Sequence, residues 1–407
     1  MSASRERISF EGVRGQTLAG VLEFPVDQKP HTFAVFIHCF TCGKNMSAAR
    51  HITRAFTQSG IAVLRFDFTG LGDSDGDFSD TNFKSNLHDV EQAVAYLSKH
   101  YQAPRLLVGH SLGGAAALAS AFNLDTIEAI VTIGAPSGPF HVTHLLQDEM
   151  DTILQEGHGE VLIGQRTFTI KKGFIEDLKQ HEILSRLKKL KKPLLILHSP
   201  QDEVVNISNA AEIYQAAFHP KSFVTLDGSD HLLSEQQDAR YAGEVIGTWV
   251  RKYLPAPESP SIKTDHQVAA MLLREDRFTT HVKVGKHQIT ADEPEEVGGT
   301  DFGPSPYELL SSALATCTAM TIKMYADRKS WQVDECIVHV NHEKKHGDDS
   351  QASEKGGSKI DHFTRNIELS GALDETQRKR LLEIANKCPV HRTLESGEMK
   401  IETSLKE

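Results

Sequence analysis

Gly109-His110-Ser111-Leu112-Gly113 has the Gly-x-Ser-x-Gly form of a nucleophile elbow. Glycines on either side let a strand-to-helix turn tighten, so that the serine hydroxyl is thrust out and the next amide faces a developing oxyanion. Three fixed positions recur by chance too often for the pentapeptide to decide anything alone. Its flanks decide more: the apolar run Arg105–Val108 precedes it and the Ala-rich stretch Ala115–Phe122 follows, which is strand then helix. An attacking serine needs a base and a carboxylate to orient that base, in the chain order Ser, Asp, His, each after a later strand. Asp202 follows the run Leu194–His198 and His231 follows Phe223–Leu226. His231 is therefore expected to take the Ser111 proton and Asp202 to hold the resulting imidazolium. His198, Asp227 and Asp230 are less apt, the first because it ends a strand and the two acids because they lie too close in sequence to His231 to face its far nitrogen.

Sulfur offers a second chemistry. Cys39-Phe40-Thr41-Cys42 is a Cys-x-x-Cys, but it ends a strand instead of opening a helix, where the dipole would lower a thiol pKa. It is expected to line the acyl pocket in preference to forming a redox pair, and the lack of a second such pair argues against zinc. Cys317 recurs with Leu310, Ala313, Leu314, Thr321 and Met324 at helical spacing, which predicts a buried stripe. A second helix, opening on Asp374 with Gln377 as capping-box partner, carries Cys388 beside Leu381, Ile384 and Ala385 and ends at Pro389. Two core-facing stripes let these thiols approach; the alternative is that both are small buried hydrophobes. Cys336 acquires no role.

The elements that must position these groups follow from hydrophobic pattern. Phe33–His38, Ala62–Asp67, Arg105–Gly109, Ile127–Ile133, Pro193–His198 and Ser222–Leu226 are short apolar runs of the fully buried type, with helical patterns such as Ser85–His100 between them. That alternation predicts an α/β fold with a doubly wound, mostly parallel sheet, to which residues 7–24 add two short strands. The rhythm breaks at about 143–192, predicting a small cap, in which Arg186–Lys192 is the solvated face of an amphipathic helix. Three prolines between Leu254 and Ser261 mark a boundary. The expected division is 1–253, a Pro-rich linker 254–265, and an α+β domain 266–407 with strands at Phe278–Val284, Val333–His342, His362–Leu369 and Met399–Thr403 and a hairpin loop at 347–358.

Composition sets limits. The 407 residues are 39% hydrophobic and 24% charged, which excludes disorder, and the net charge of −11 argues against a duplex nucleic-acid binder or a polybasic membrane-surface protein. Five cysteines and a polar N-terminus predict a reducing cytoplasm. Leu106–Leu124 is uncharged and long enough to span a bilayer, but the glycines in its middle favour strand-turn-helix. His339, His342 and His346 sit on a presumptive strand, where the odd spacing of the first two sends them to opposite faces, so no metal is expected; no phosphate-binding loop suggests a cofactor.

Residues 7–253 resemble the α/β-hydrolase superfamily, in particular its serine-aminopeptidase-like and dienelactone-hydrolase-like branches. The likeness is carried by the elbow and by Arg65-Phe66-Asp67-Phe68-Thr69-Gly70-Leu71-Gly72-Asp73-Ser74, similar to the turn after their fourth strand. It implies that His38-Cys39-Phe40 supplies the second oxyanion amide, so the backbone N–H groups of Phe40 and Leu112 form the hole; Cys39 stands where a glycine is common. Residues 266–407 resemble the OsmC/Ohr thiol peroxidases through Ser305-Pro306-Tyr307-Glu308-Leu309-Leu310, Ala315-Thr316-Cys317-Thr318 and Asn386-Lys387-Cys388-Pro389-Val390-His391. That resemblance implies that Cys317 attacks a peroxide, Cys388 resolves the sulfenic acid, and two copies of this domain form a homodimer. Tyr307 stands where such proteins often have glutamate, and Arg277 is a candidate for their activating arginine. The expected protein is a serine hydrolase of a carboxylic ester or related acyl bond, fused to a thiol domain that reduces organic hydroperoxides at the expense of a dithiol. Its rivals are a thiol peroxidase whose first half binds or supplies substrate, and a second half that is a non-catalytic dimerisation or ligand-binding module.

Overall fold

The computed structural model describes residues 5–163, 166–256, 261–274, 276–346, 359–396 and 399–405. The chain divides into two compact units, Met1–Ser259 and Pro260–Glu407. The predicted loop 347–358 and Pro257–Pro260 of the linker lie outside the described residues.

Unit 1 is built on an eight-stranded sheet. Its members are β1 (Arg5–Glu11), β2 (Thr17–Glu23), β3 (Thr32–Ile37), β4 (Ile61–Phe66), β5 (Leu106–His110), β6 (Ala129–Ile133), β9 (Leu194–His198) and β10 (Lys221–Thr225), in the spatial order β1-β2-β4-β3-β5-β6-β9-β10. β2 pairs antiparallel with β1 and β4; the six strands from β4 to β10 are parallel. The apolar runs are continuous because both faces are covered. Along β5, Leu107 enters one core with α2 (Phe83–His100) and α3 (Leu112–Ser120), while Leu106 and Val108 enter the other with α1 (Ser47–Gln58) and α8 (Gln236–Tyr253). α7 (Ser208–Ala216) connects β9 to β10. The stretch expected to be a helical cap holds α4 (Met150–Glu156), α5 (Lys172–Gln180) and α6 (Ile183–Leu187), and also an unforeseen hairpin, β7 (His158–Ile163) with β8 (Arg166–Lys171). Gly159 and Val161 of β7 turn inward between exposed residues, and Ile170 of β8 is buried beside half-buried Thr169.

Unit 2 has a three-stranded antiparallel sheet, β11 (Val268–Leu272), β12 (Thr280–Val284) and β13 (His287–Ala291), and a long hairpin, β14 (Glu335–His346) with β15 (Lys359–Ser370). Two of those short strands, β11 and β13, were not expected, and Met399–Thr403 is not a strand. The helices are α9 (Pro306–Arg328), α10 (Glu375–Ala385) and α11 (Pro389–Ser396). Ser305 with Glu308, and Asp374 with Gln377, form capping boxes at α9 and α10, which gives Glu308 a structural task. The buried stripe of α9 is Leu314, Thr318, Ile322 and Ala326, one position on from the expected one; Met324 is 74% exposed. Apolar residues lie almost all around this helix, so spacing alone could not select its face. Among the described residues no helix is long and apolar enough to cross a membrane.

Candidate active sites

Ser111 occupies the turn between β5 and α3 at φ 55° and ψ −126°, a left-handed conformation that strains any non-glycine residue. Its amide is anchored on the Ile133 carbonyl (2.8 Å), and its hydroxyl lies 2.9 Å from His231 Nε2. His231 Nδ1 lies 2.7 Å from Asp202 Oδ2, and the other oxygen of Asp202 accepts the amides of Val204 and Val205. Burial alone would raise the Asp202 carboxyl; the bonds from His231 and the two amides outweigh it and hold the group below the ordinary aspartate range. An ionised Asp202 accepts, so Nδ1 of His231 donates and Nε2 is left to accept from the Ser111 hydroxyl. The structure thus brings together the three residues expected to do so. Asp230 instead accepts the amide of Ser234. His198 is buried behind the site, with Nε2 on the Val205 carbonyl (2.7 Å) and 3.6 Å from Asp202.

The backbone around the triad is braced by groups that pattern reading missed. His110 is fully buried and its Nε2 bonds the His231 carbonyl at 2.7 Å; burial and the charge of His231 push its imidazole down to about 4, so it is neutral. Lys44, almost fully buried, joins Asp67 through both its amide (2.6 Å) and its ammonium (2.5 Å), and also reaches Asp73. Asp67 and Asp73 belong to the glycine-rich turn after β4, so that turn fastens the loop following β3. Only the two acids were visible as a motif; a lysine in a polar loop carries no local signal of burial.

That loop contains Phe40, whose amide, like that of Leu112, has no hydrogen-bond partner in the chain among the described residues. Cys39 and Cys42 do line the cavity beside Ser111, but they are joined in a disulfide and are not two separate thiols. The cavity encloses about 410 Å³. Phe40, Leu112, Val142, Ile163, Val205 and Leu232 make most of its wall apolar, with Arg166, His141 and His144 as polar members.

In unit 2, Cys317 on α9 and Cys388 are free thiols in hydrogen-bond contact. Cys388 lies beyond the end of α10 and immediately before α11, not on the α10 stripe; Pro389, expected to stop a helix, starts one. The His391 amide of that first turn points at Cys388 Sγ (3.4 Å). Burial would raise the Cys388 thiol, but the His391 amide and the Cys317 thiol outweigh it and lower its pKa. Burial and the bond to Cys388 raise that of Cys317. Arg277 is exposed in the turn before β12. The arginine at the thiol pair is Arg365 on β15, which donates to the Thr318 hydroxyl (2.7 Å), the Asn386 side chain (2.7 Å) and the Ala385 carbonyl. Its sequence neighbours gave no hint of this, because the contact depends on the register of the β14–β15 hairpin.

Comparison with known proteins agrees with both halves. Residues 34–244 match the model of the alpha/beta hydrolase family, and residues 298–404 that of OsmC-like protein. The esterase domain of a Rhodothermus marinus protein is 47% identical, with a TM-score of 0.52, covering 62% of this chain and 99% of that domain. The mitochondrial palmitoyl-protein thioesterase ABHD10 of Rattus norvegicus is 27% identical over 212 residues, 50% of this chain and 70% of the rat protein. Est1E of Butyrivibrio proteoclasticus, solved with ferulic acid, shares the fold at 21% identity, with a TM-score of 0.51 over 61% of this chain and 99% of Est1E. The chain is a hydrolase that belongs to the alpha/beta hydrolase family, with an OsmC-like domain following the hydrolase.

Proposed function

We propose that unit 1 hydrolyses a carboxylic ester or thioester through an acyl-Ser111 intermediate. The observation that carries this is the unbroken run of hydrogen bonds from Asp202 through His231 to Ser111 on the wall of an apolar cavity. Ser111 Oγ attacks the acyl carbonyl as His231 Nε2 takes its proton, and the carboxylate of Asp202 stabilises the imidazolium without being protonated. The oxyanion is received by the amides of Phe40 and Leu112. Collapse of the tetrahedral intermediate expels the alcohol or thiol with the proton from His231, and water then attacks the acyl-enzyme with the same base. The esterase domain that is similar over nearly its whole length supports ester substrates; the rat thioesterase extends the reading to thioesters. The apolar lining suits a hydrocarbon or aromatic acyl group. Chromogenic esters of graded acyl length and an acyl thioester test it: Ser111→Ala should lower kcat by about 10⁴-fold or more. Cleavage that survives this substitution would refute the assignment.

We infer a second activity for unit 2, reduction of organic hydroperoxides by Cys317 and Cys388, favoured by their thiol contact and by the groups that lower the pKa of Cys388. A thiolate attacks the peroxide oxygen, releasing the alcohol and leaving a sulfenic acid; the other thiol condenses with it, expelling water and forming a disulfide, which a dithiol reduces. Cys317→Ser and Cys388→Ser should each abolish dithiol-dependent consumption of cumene hydroperoxide. Wild type that leaves the peroxide untouched would favour a non-catalytic module. The exposed Met320 and Met324 on α9 fit a homodimer through this unit. Three free cysteines fit a reducing compartment such as the cytoplasm.

A further inference from the structure

We propose that Cys39 and Cys42 form a reversible redox site that gates the hydrolase: their disulfide holds the loop that presents the Phe40 amide to Ser111, and its reduction turns ester hydrolysis down. The inference rests on the hydrolase reading of Ser111. The loop is short and its ends are fixed. β3 delivers its start, and Lys44, two residues beyond Cys42, is held to Asp67 through amide and ammonium. Between these anchors the disulfide is the covalent link across residues 39–42, beside the bond from the Cys42 amide to the Cys39 carbonyl (3.2 Å), the Thr41 hydroxyl on the Phe40 carbonyl, His38 on the Cys39 carbonyl, and the Phe40 ring on Phe78 and Phe174. Within it, Thr41 sits at φ 61°, a left-handed conformation that a β-branched residue adopts only when its surroundings impose it. The disulfide closes the four-residue loop around this residue, whose hydroxyl also donates to the Phe40 carbonyl (2.6 Å), and the other residue it straddles is Phe40.

Access is asymmetric. Cys39 is 3% exposed and its sulfur packs on that of Met46, whereas Cys42 is half-buried at the cavity wall. A small dithiol entering the cavity attacks Cys42 Sγ, forming a mixed disulfide and releasing Cys39 as a thiolate that takes up a proton. The reductant's second thiol then displaces Cys42, so two electrons and two protons pass to the protein and the reductant leaves as its cyclic disulfide. Once opened, Thr41 relaxes and the Phe40 amide leaves the oxyanion position, while Lys44 and β3 keep the fold.

The test uses the full chain incubated with dithiothreitol or with oxidised glutathione. Mass mapping of alkylated Cys39 and Cys42 reads the state of the pair, independently of catalysis. Reduction should lower kcat for a p-nitrophenyl ester at least about tenfold, with KM changed less than twofold, since an oxyanion donor acts in the transition state. Oxidised glutathione should restore it, and Cys39→Ser should have the low kcat in both media. Equal kcat with the pair shown to be open, or a pair that dithiothreitol cannot open, would overturn the proposal. Should neither state cleave esters nor label Ser111 with a fluorophosphonate, the hydrolase reading itself fails, and the gate with it.

Discussion

A methyl group placed on Gly113 would lie 2.3 Å from the carbonyl oxygen of Ile37. It would also lie 2.4 Å from that of His38, so the first turn of α3 packs directly on the backbone at the end of β3. Neither contact is with a side chain that could swing away. Gly113→Ala should therefore destabilise unit 1 by about 2–3 kcal/mol, seen as a lower urea midpoint. It should also reduce kcat, because the amides of Leu112 and Phe40 sit on either side of this seam. An unchanged midpoint would contradict the close approach.

Asp202→Asn should lower kcat on esters by roughly 10⁴-fold with KM little altered, since an asparagine amide facing His231 Nδ1 selects the wrong tautomer. Steady-state kinetics on a chromogenic ester check this. A loss confined to KM would remove Asp202 from the proposed relay.

The neutral, buried His110 makes unit 1 acid-labile. Its folded pKa is depressed to about 4, against about 6.5 for an unfolded histidine. Between those values the unfolded chain binds a proton that the folded chain does not, so stability falls as pH drops through the window, by up to about 3 kcal/mol from this group. Urea unfolding from pH 7 to 4.5 should show that slope, and His110→Gln should flatten it. The same slope in both proteins would assign the acid lability elsewhere.

Arg365→Gln should raise the midpoint pH for alkylation of Cys388 by iodoacetamide, because the guanidinium charge lies near enough to Cys388 to favour its thiolate. Arg365→Lys keeps charge but loses the forked contacts to Thr318 and Asn386, so it should fall between the two. Identical profiles for all three proteins would remove Arg365 from the thiol site.

Val142 lines the cavity and is buried. Val142→Trp should raise KM for an octanoyl ester at least about tenfold while sparing the acetyl ester. Equal effects on both would place the acyl group elsewhere.

Legibility in the sequence followed burial. Five of the six parallel strands of unit 1 were readable to within two residues because both faces are covered and apolar runs admit little else: the expected Pro193–His198 is β9, Leu194–His198; β10, at the sheet edge, is only half-buried, against the expectation of full burial, though Ser222–Leu226 lies within one residue of it. Ser111, Asp202 and His231 were readable because each follows such a strand. Elements of unit 2 were less so. β11 alternates exposed with half-buried residues but reads Val-Ala-Ala-Met-Leu, apolar throughout, and β13 is mostly exposed, so neither shows period 2 in its residue types. Lys44, His110 and Arg365 escaped for another reason: each acts across a long sequence separation through a buried or partly buried polar contact, and a single charged or imidazole side chain has no periodicity to betray it. The Cys39–Cys42 bond carries no sequence signal of its own: a Cys-x-x-Cys after a strand lacks the helix dipole, yet pairing needs only that the two sulfurs meet.

Ser111 stands at a backbone conformation that glycine would occupy without strain, so Ser111→Gly should give a more stable protein that hydrolyses nothing. The elbow is a position where stability and catalysis pull in opposite directions. A protein with no need of acyl transfer would gain stability from glycine at this position. Serine at this site therefore behaves as a loan against the fold, called in as soon as its hydroxyl ceases to matter.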